Sequence, residues 1–381
     1  MSFDCIVIGA GLAGITAARD LESFGRNVLL IEAGDDVGGR LRSDRLDGFI
    51  LDRGFQVINP KYPQVKRSKL ISKLDFKTIS GKVHLADLDL MVGYAPASFS
   101  RKIGSNIEKI KFLNFIALSK PSSSKALGDY TSDFPNLYAR VLKPFLSGVF
   151  LTDPETVAAD VVQEIVRSLV KSLPGVPANG VGEFSKALAK PLKNLYLNEK
   201  VMKIEQDTVV TSKGRYQAGF IVIATDGQSA NDLIGVSKEY KMLDSYTCYF
   251  ALDKQFELMD KLQISTQAKV VNSIAISKLS KNYAPKDKVL ISTTSLTPLT
   301  QDEFRQEVSK LWMIPVDKFE YIQHYAIRHS LPFHGPGKSR DESLFVRDGL
   351  FVIGDHMSAP SQEGAMRTGA AVALKINQLM Q

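Results

Sequence analysis

At 381 residues the chain is too long for a single small module and has room for two or three domains. Hydrophobic residues at 44% and charged residues at 23% exclude a disordered, collagen-like or disulfide-stapled protein. The 48 Lys and Arg against 41 Asp and Glu leave a net charge of +7, which suits anionic ligands or surfaces without the dense clustering of a nucleic-acid binder. In chain order, Phe3-Asp4-Cys5-Ile6-Val7-Ile8 is an apolar run of the kind buried on both faces of a parallel sheet. From Ala13 to Phe24 the residues Ile15, Ala18 and Leu21 recur at helical spacing, Gly25 supplies the stop, and Val28 to Ile31 reads as a second buried strand. A βαβ unit therefore opens the chain.

Residues 98–118 are predicted as one amphipathic helix, with Ile103, Ile107, Ile110 and Phe112 on one side and Lys102, Lys109 and Lys111 elsewhere, ended by Pro121-Ser122-Ser123-Ser124. A hairpin from Thr208 to Tyr216 precedes a buried strand, Phe220 to Ala224. Leu350 to Ile353 is a last strand, and about Ser361 to Leu379 forms a helix with the small residues Ala365, Gly369, Ala370 and Ala373 for close packing. Two long stretches, roughly 61–190 and 233–344, are richer in Lys, Ser and Pro and read as insertions. Cys5 and Cys248 have no metal-like spacing, so no metal site is expected and a reducing compartment is. No apolar run reaches the ~20 residues of a membrane span, and no basic stretch precedes the glycine-broken N-terminus, so a cytoplasmic protein is expected.

Gly9-Ala10-Gly11-Leu12-Ala13-Gly14 is a G-x-G-x-x-G between a strand and a helix, with Glu32 at the end of the second strand. Gly9 allows the tight turn, Gly11 lets a pyrophosphate meet backbone N–H groups at the helix start, and Gly14 lets helix approach strand. Glu32 can accept both ribose hydroxyls and repels a 2′-phosphate, so a dinucleotide without that phosphate is the expected ligand. Next come Ala33, the flexible Gly38-Gly39 with Arg40, whose guanidinium suits a pyrophosphate, and Asp52-Arg53-Gly54-Phe55-Gln56.

In this order the motifs resemble the flavin-dependent family of amine oxidases, protoporphyrinogen oxidases and phytoene desaturases. The resemblance continues through Val201, the run Val222-Ile223-Ala224-Thr225, the segment Pro174 to Leu188, Arg328 to Pro336, and Gly354-Asp355 followed by Gln362-Glu363-Gly364-Ala365. It implies an α/β fold: a Rossmann-like FAD-binding domain with a parallel sheet and helices, plus a mixed α+β substrate domain built from the two insertions. The expected boundaries are 1–60, 190–232 and 345–381 for the first domain, and 61–189 and 233–344 for the second. It also implies an enzyme holding FAD, with Val201, Ala224 and Thr225 on the adenine side, Asp355 on the ribityl chain, and Gln362 to Ala365 facing the pyrimidine ring. There the positive end of the helix would stabilise charge on a reduced flavin.

No cysteine lies near the Gly354 to Ala365 signature, so the flavin is expected to be non-covalent, and no aromatic pair for an amine substrate stands between His356 and Gln362. The implied reaction is oxidation of a C–N or C–C bond of an apolar or amine-type small molecule, with hydride passing to flavin N5. With no second strand-linked G-x-G-x-x-G for a nicotinamide, electrons would leave to oxygen, a quinone or another diffusible acceptor. A redox-neutral FAD-dependent isomerase and a flavin-binding protein without turnover remain alternatives. Candidate catalytic residues are Gln56, or an ordinary strand amide, and Tyr325, or a core residue; His324, His329, His334 and His356 read as structural. The basic stretch 61–82 and the helix at Ile103 suit either peripheral contact with an anionic membrane or plain solvation.

Overall fold

The computed structural model describes residues 2–235, 240–338 and 344–381. The chain opens with β1 (Ser2–Ile8), α1 (Leu12–Ser23) and β2 (Val28–Ile31), then the hairpin β3 (Ser43–Leu46) and β4 (Phe49–Asp52). There follow α2 (Pro63–Ser68), β5 (Phe76–Thr78), β6 (Lys82–Leu85), β7 (Leu90–Gly93) and the helices α3 (Asn106–Ala117), α4 (Pro135–Leu137), α5 (Lys143–Phe150) and α6 (Ala159–Lys171). Next are β8 (Gly175–Pro177), α7 (Gly182–Ala189), β9 (Leu195–Tyr196), β10 (Val201–Glu205), β11 (Thr208–Thr211), β12 (Arg215–Ile223) and α8 (Gly227–Ile234). The rest comprises β13 (Met242–Asp253), β14 (Leu262–Ile264), β15 (Val270–Ile274), β16 (Lys288–Ser295), α9 (Gln301–Trp312), β17 (Glu320–Pro332), β18 (Phe345–Arg347), β19 (Leu350–Val352) and α10 (Gln362–Leu379).

The first sheet runs β10-β11-β12-β1-β2-β9, with β19 beside the last residues of β12. Its centre is parallel: β1 pairs with β2 and β12, and β12 with β19, so strands from the start, middle and end of the chain lie side by side. Cys5, Val7 and Leu30 face one apolar cluster and Ile6, Ile8, Leu29 and Ile31 another, which is why these strands read as unbroken apolar runs. α10 lies so close to α1 that a Cβ on Gly369 would stand 2.3 Å from the Ala13 carbonyl oxygen. The α/β architecture expected from the motifs is therefore the one observed.

The second sheet runs β17-β13-β16-β15-β14-β6-β7. Tyr246, Cys248 and Phe250 of β13 pack under Phe304, Val308 and Trp312 of α9, while Tyr249 and Ala251 join the cluster that includes β1 and α1. The helices α3 to α6 enclose a core of their own around Phe115, Phe134, Leu146 and Val162.

One expected element is corrected. Residues 98–118 do not form one helix: Ser100 caps a short turn, Arg101–Ile103, then Gly104 at φ 138° breaks the path, and α3 starts only after Ser105. Ser105 and Glu108 form a capping box, and the buried Glu108 carboxylate also accepts the Asn136 N–H at 2.7 Å. These bonds set the rotation of α3, so Ile103, Phe115 and Ile116 are buried while Ile107 and Ile110, expected on the same side as Ile103, are 68% and 65% exposed.

Candidate functional site

The turn after β1 is shaped by contacts only glycine permits. Gly9 sits at φ 102°, where a Cβ would lie 2.9 Å from the Ala224 carbonyl oxygen, and a Cβ on Gly14 would meet the Gly9 oxygen at 1.9 Å. A Cβ on Gly11 would meet nothing within 4 Å, so the backbone there borders open space. Gly11 is also the N-cap of α1, with no side-chain cap and no acidic residue in the first turn, which leaves the N–H groups of Leu12 and Ala13 at an uncompensated positive helix end.

Three other segments close on this turn. Glu32 accepts the Ala10 N–H at 2.7 Å and the Gly34 N–H at 2.8 Å, tying the strand end and Ala33-Gly34 to the glycine turn. Gly38 donates to the Ala10 carbonyl at 2.8 Å, and Gly39 stands so near that its Cβ would be 3.3 Å from Gly11 Cα. The chain just before Val201 passes beside Glu32, with Glu199 N–H donating to its carbonyl at 2.9 Å, and Ala224-Thr225 adjoin Gly9.

Arg40 leaves the same loop toward the C-terminal block. It donates to Asp355 at 2.7 Å and to the Ser330 carbonyl at 2.8 Å. Burial opposes its charge, but the Asp355 carboxylate outweighs that and holds the guanidinium above its ordinary range. Gly354, at φ 148°, presents the turn, and Ser361 caps α10 by accepting from Gly364. Gln362 donates to the Val57 carbonyl at 3.2 Å, Glu363 accepts the Gln64 N–H at 2.9 Å, and Ala365 is buried behind them. The Gln362 Oε1 is buried with no partner among the described residues, a free acceptor at the helix start.

The two catalytic candidates have local partners. Gln56 donates to the carbonyls of Arg40 at 2.6 Å and Arg53 at 3.2 Å, so its amide nitrogen joins the loop Gly38–Arg40 to the Gly54 turn. Tyr325 donates to Asp44 at 2.9 Å and packs edge-on against Tyr249; burial, then the Asp44 contact, push its phenol up, so it stays protonated. Phe55 is half-buried against the core beside Gly54, where a Cβ would meet Ile327 of β17 at 2.8 Å.

His334 and His356 are buried, and burial first of all pushes each down to about 4. His324 packs against Phe304 beneath α9, away from the turn, and His329 faces Asp226 at 3.5 Å. Cys248 is buried with its thiol pushed up to about 12, and buried Cys5 higher still, so neither is a thiolate at neutral pH.

A family profile described as flavin containing amine oxidoreductase matches residues 12–377. The chain belongs to the flavin-containing amine oxidoreductase family. Putrescine oxidase of Kocuria rosea is 44% identical over 75 residues, 20% of this chain and 15% of that protein. Pseudooxynicotine dehydrogenase of Pseudomonas sp is 24% identical over 270 residues, 61% of this chain and 53% of that one. The chain thus spans about half or less of the length of these curated relatives. Among solved structures, an oxidoreductase from Methanosarcina mazei is similar with a TM-score of 0.79 at 16% identity, covering 98% of this chain and all of the other. A reduced UDP-galactopyranose mutase gives 0.75 at 14% identity, covering 99% and 96%. At such identities the likeness is one of fold.

For this member of the flavin-containing amine oxidoreductase family, sequence reasoning missed the buried knot at Asp52. Its carboxylate accepts from Ser43 at 2.6 Å, the Val181 N–H at 3.0 Å and the Tyr283 hydroxyl at 2.7 Å, while Tyr249 donates to its carbonyl at 2.7 Å. Burial outweighs these donors and pushes the carboxyl up to about 6. The knot locks the Gly54 turn to the second sheet. The Asp-x-Gly spacing marks Asp52, but Tyr249 and Tyr283 lie in runs that signal nothing beyond burial.

Proposed function

We propose that the protein is an FAD-dependent oxidoreductase that holds FAD non-covalently and oxidises a C–N or C–C bond of an apolar or amine-type small molecule. The observation that carries the reading is the convergence of four distant segments on a glycine turn bordered by open space and an uncapped helix end. FAD fits these donors: Gly9, Gly11, Leu12, Ala13 and Gly14 would take the pyrophosphate with Gly38, Gly39 and Arg40, and Glu32 with Ala33 the ribose. Glu32 retains acceptor capacity beyond its two backbone partners. Val201, Ala224 and Thr225 would lie on the adenine side, and Gly54, Phe55, Gln56, Gly354, Asp355 and Gln362 to Ala365 along the ribityl and ring portion.

When bound, the flavin supplies the two-electron acceptor, so no protein base is required. The chain's own part is to orient and to exclude water. Arg40 and Asp355 join the glycine loop to the C-terminal block, Gln56 pins the Gly54 turn, and Tyr325 holds its proton toward Asp44. In this reading 1–60, 190–232 and 345–381 form the cofactor domain and the remainder the substrate domain of a cytoplasmic enzyme in peripheral contact with membrane, whose electrons leave to oxygen, a quinone or another acceptor.

Purified protein should be yellow and should release free FAD on acid precipitation; a colourless preparation that takes up no added FAD overturns the reading. Anaerobic incubation with amines, porphyrinogens and polyenes should yield a product lighter by two hydrogens. An unchanged mass with a rearranged product assigns the isomerase instead, and no reaction of either kind assigns a flavin-binding protein without turnover.

A further inference from the structure

The face that α3 turns to solvent is made of side chains that ordinarily line a core. Ile107, Ile110 and Leu113 are 68%, 65% and 63% exposed, Leu118 just past the helix is 77% exposed, and Phe99 before it is 79% exposed. At 100° per residue the four helix-face side chains fall within one arc opposite the buried Phe115 and Ile116. Single exposed apolar residues need no explanation, but a contiguous set of this kind marks a binding surface.

Along the chain the surrounding charge is mainly basic. Between Tyr94 and Lys125 there are six basic residues against the single acid Glu108, which is buried in its capping box. Arg101, Lys102 and Lys120 stand exposed around the apolar face, and Lys111 there is paired with Asp133 at 2.9 Å. Beside the turn that carries Lys102 lies a cavity of about 370 Å³, lined by Lys102, Arg140, Ser265, Thr266 and Asp87 among others. The Asp87 carboxylate accepts from Ser265 and Thr266, and Arg140 donates to the Lys102 carbonyl, which fixes it at the cavity edge.

We infer that the outward face of α3, with Phe99, is a seat on an anionic lipid bilayer, in which the apolar side chains enter the acyl boundary and Lys102 and Arg140 meet headgroup phosphates. The charge pattern selects this occupant. A second copy of the chain would bring like charges together at the contact, whereas a negative lipid surface complements both the basic rim and the apolar centre. No helix among the described residues is long and apolar enough to cross a membrane, so the seat is peripheral. It deepens the peripheral contact in the proposed function and does not depend on the flavin chemistry.

The test is co-sedimentation of the full chain as purified with phosphatidylcholine vesicles and with vesicles containing phosphatidylglycerol. The wild type should pellet with the anionic vesicles at low salt, and less at high salt. Ile107→Ser, Ile110→Ser and Leu113→Ser together should weaken pelleting at least about tenfold, and Lys102→Gln with Lys120→Gln should weaken it and flatten its salt dependence. These positions are exposed, so flavin content and circular dichroism should stay those of the wild type, and flavin content reports the cofactor reading separately. Absence of pelleting on anionic vesicles, or equal pelleting of the wild type and the triple variant, overturns the seat. A dimer in size exclusion that the triple variant dissolves, without vesicle binding, reassigns the face to contact between copies.

Discussion

The parallel centre of the first sheet and the β13–α9 layer of the second are held by different kinds of contact. Around the parallel sheet the closest approaches are backbone to backbone: Gly14 against the Gly9 carbonyl, Gly364 against Ala359 and Gly369 against Ala13, each with no room for a Cβ. In the second sheet β13 meets α9 through side chains, Phe250 and Cys248 under Phe304 and Val308, with Trp312 donating to Ser273 at 2.8 Å. Backbone cannot retreat, whereas side chains can repack, so these glycine positions admit one residue type while the β13–α9 contact can accept other apolar side chains. That matches the distribution of legible motifs, which cluster on the first sheet.

Substitutions should expose this asymmetry, most strongly where backbone meets backbone. Gly14→Val places a side chain 1.9 Å from a carbonyl oxygen and should abolish soluble, flavin-loaded protein, read as yield and visible absorbance. At the junction of the two sheets, the raised Asp52 carboxyl makes the native state bind its proton more tightly than the unfolded chain does. Stability from this group is therefore full below about pH 4 and lost as pH rises through about 6, by about 3 kcal/mol in all. Urea titrations of wild type and Asp52→Asn should differ by that slope; parallel curves would remove the role of the buried carboxyl.

Smaller effects separate binding from stability. Glu32→Ala removes the acceptor for the Ala10 and Gly34 N–H groups and should cost about 1–3 kcal/mol, seen as flavin lost on gel filtration, and full occupancy after the column would refute its assignment. Thr300→Ala in the capping box of α9 should lower the unfolding free energy read from urea titration by about 1 kcal/mol and leave flavin content unchanged, since α9 lies on the far face of the second sheet. A loss of flavin there would show that the two halves are coupled more tightly than their contacts suggest.

The opening βαβ unit, the strand at Phe220–Ile223 and the closing helix were legible because each is written locally, as an apolar run, a glycine spacing or a cap. The side shared by Ile103, Ile107 and Ile110 was not the one the structure shows, because periodicity gives an arc but neither its direction nor the break at Gly104. The direction came from Glu108 bonding to Asn136, 28 residues away. Gln56 likewise reads as a free polar group until its amide is seen against the carbonyls of Arg40 and Arg53.

What the amino-acid order alone determined is the chemistry of the glycine turn, since steric limits at Gly9 and Gly14 and the spacing to Glu32 act within one short stretch of backbone. Only the tertiary structure decided that Arg40 meets Asp355 across 315 positions, that Tyr249 and Tyr283 clasp Asp52, and that Ile107 and Ile110 face outward. Such pairings depend on how whole elements pack, and packing is settled by the summed burial of surfaces that no single segment contains.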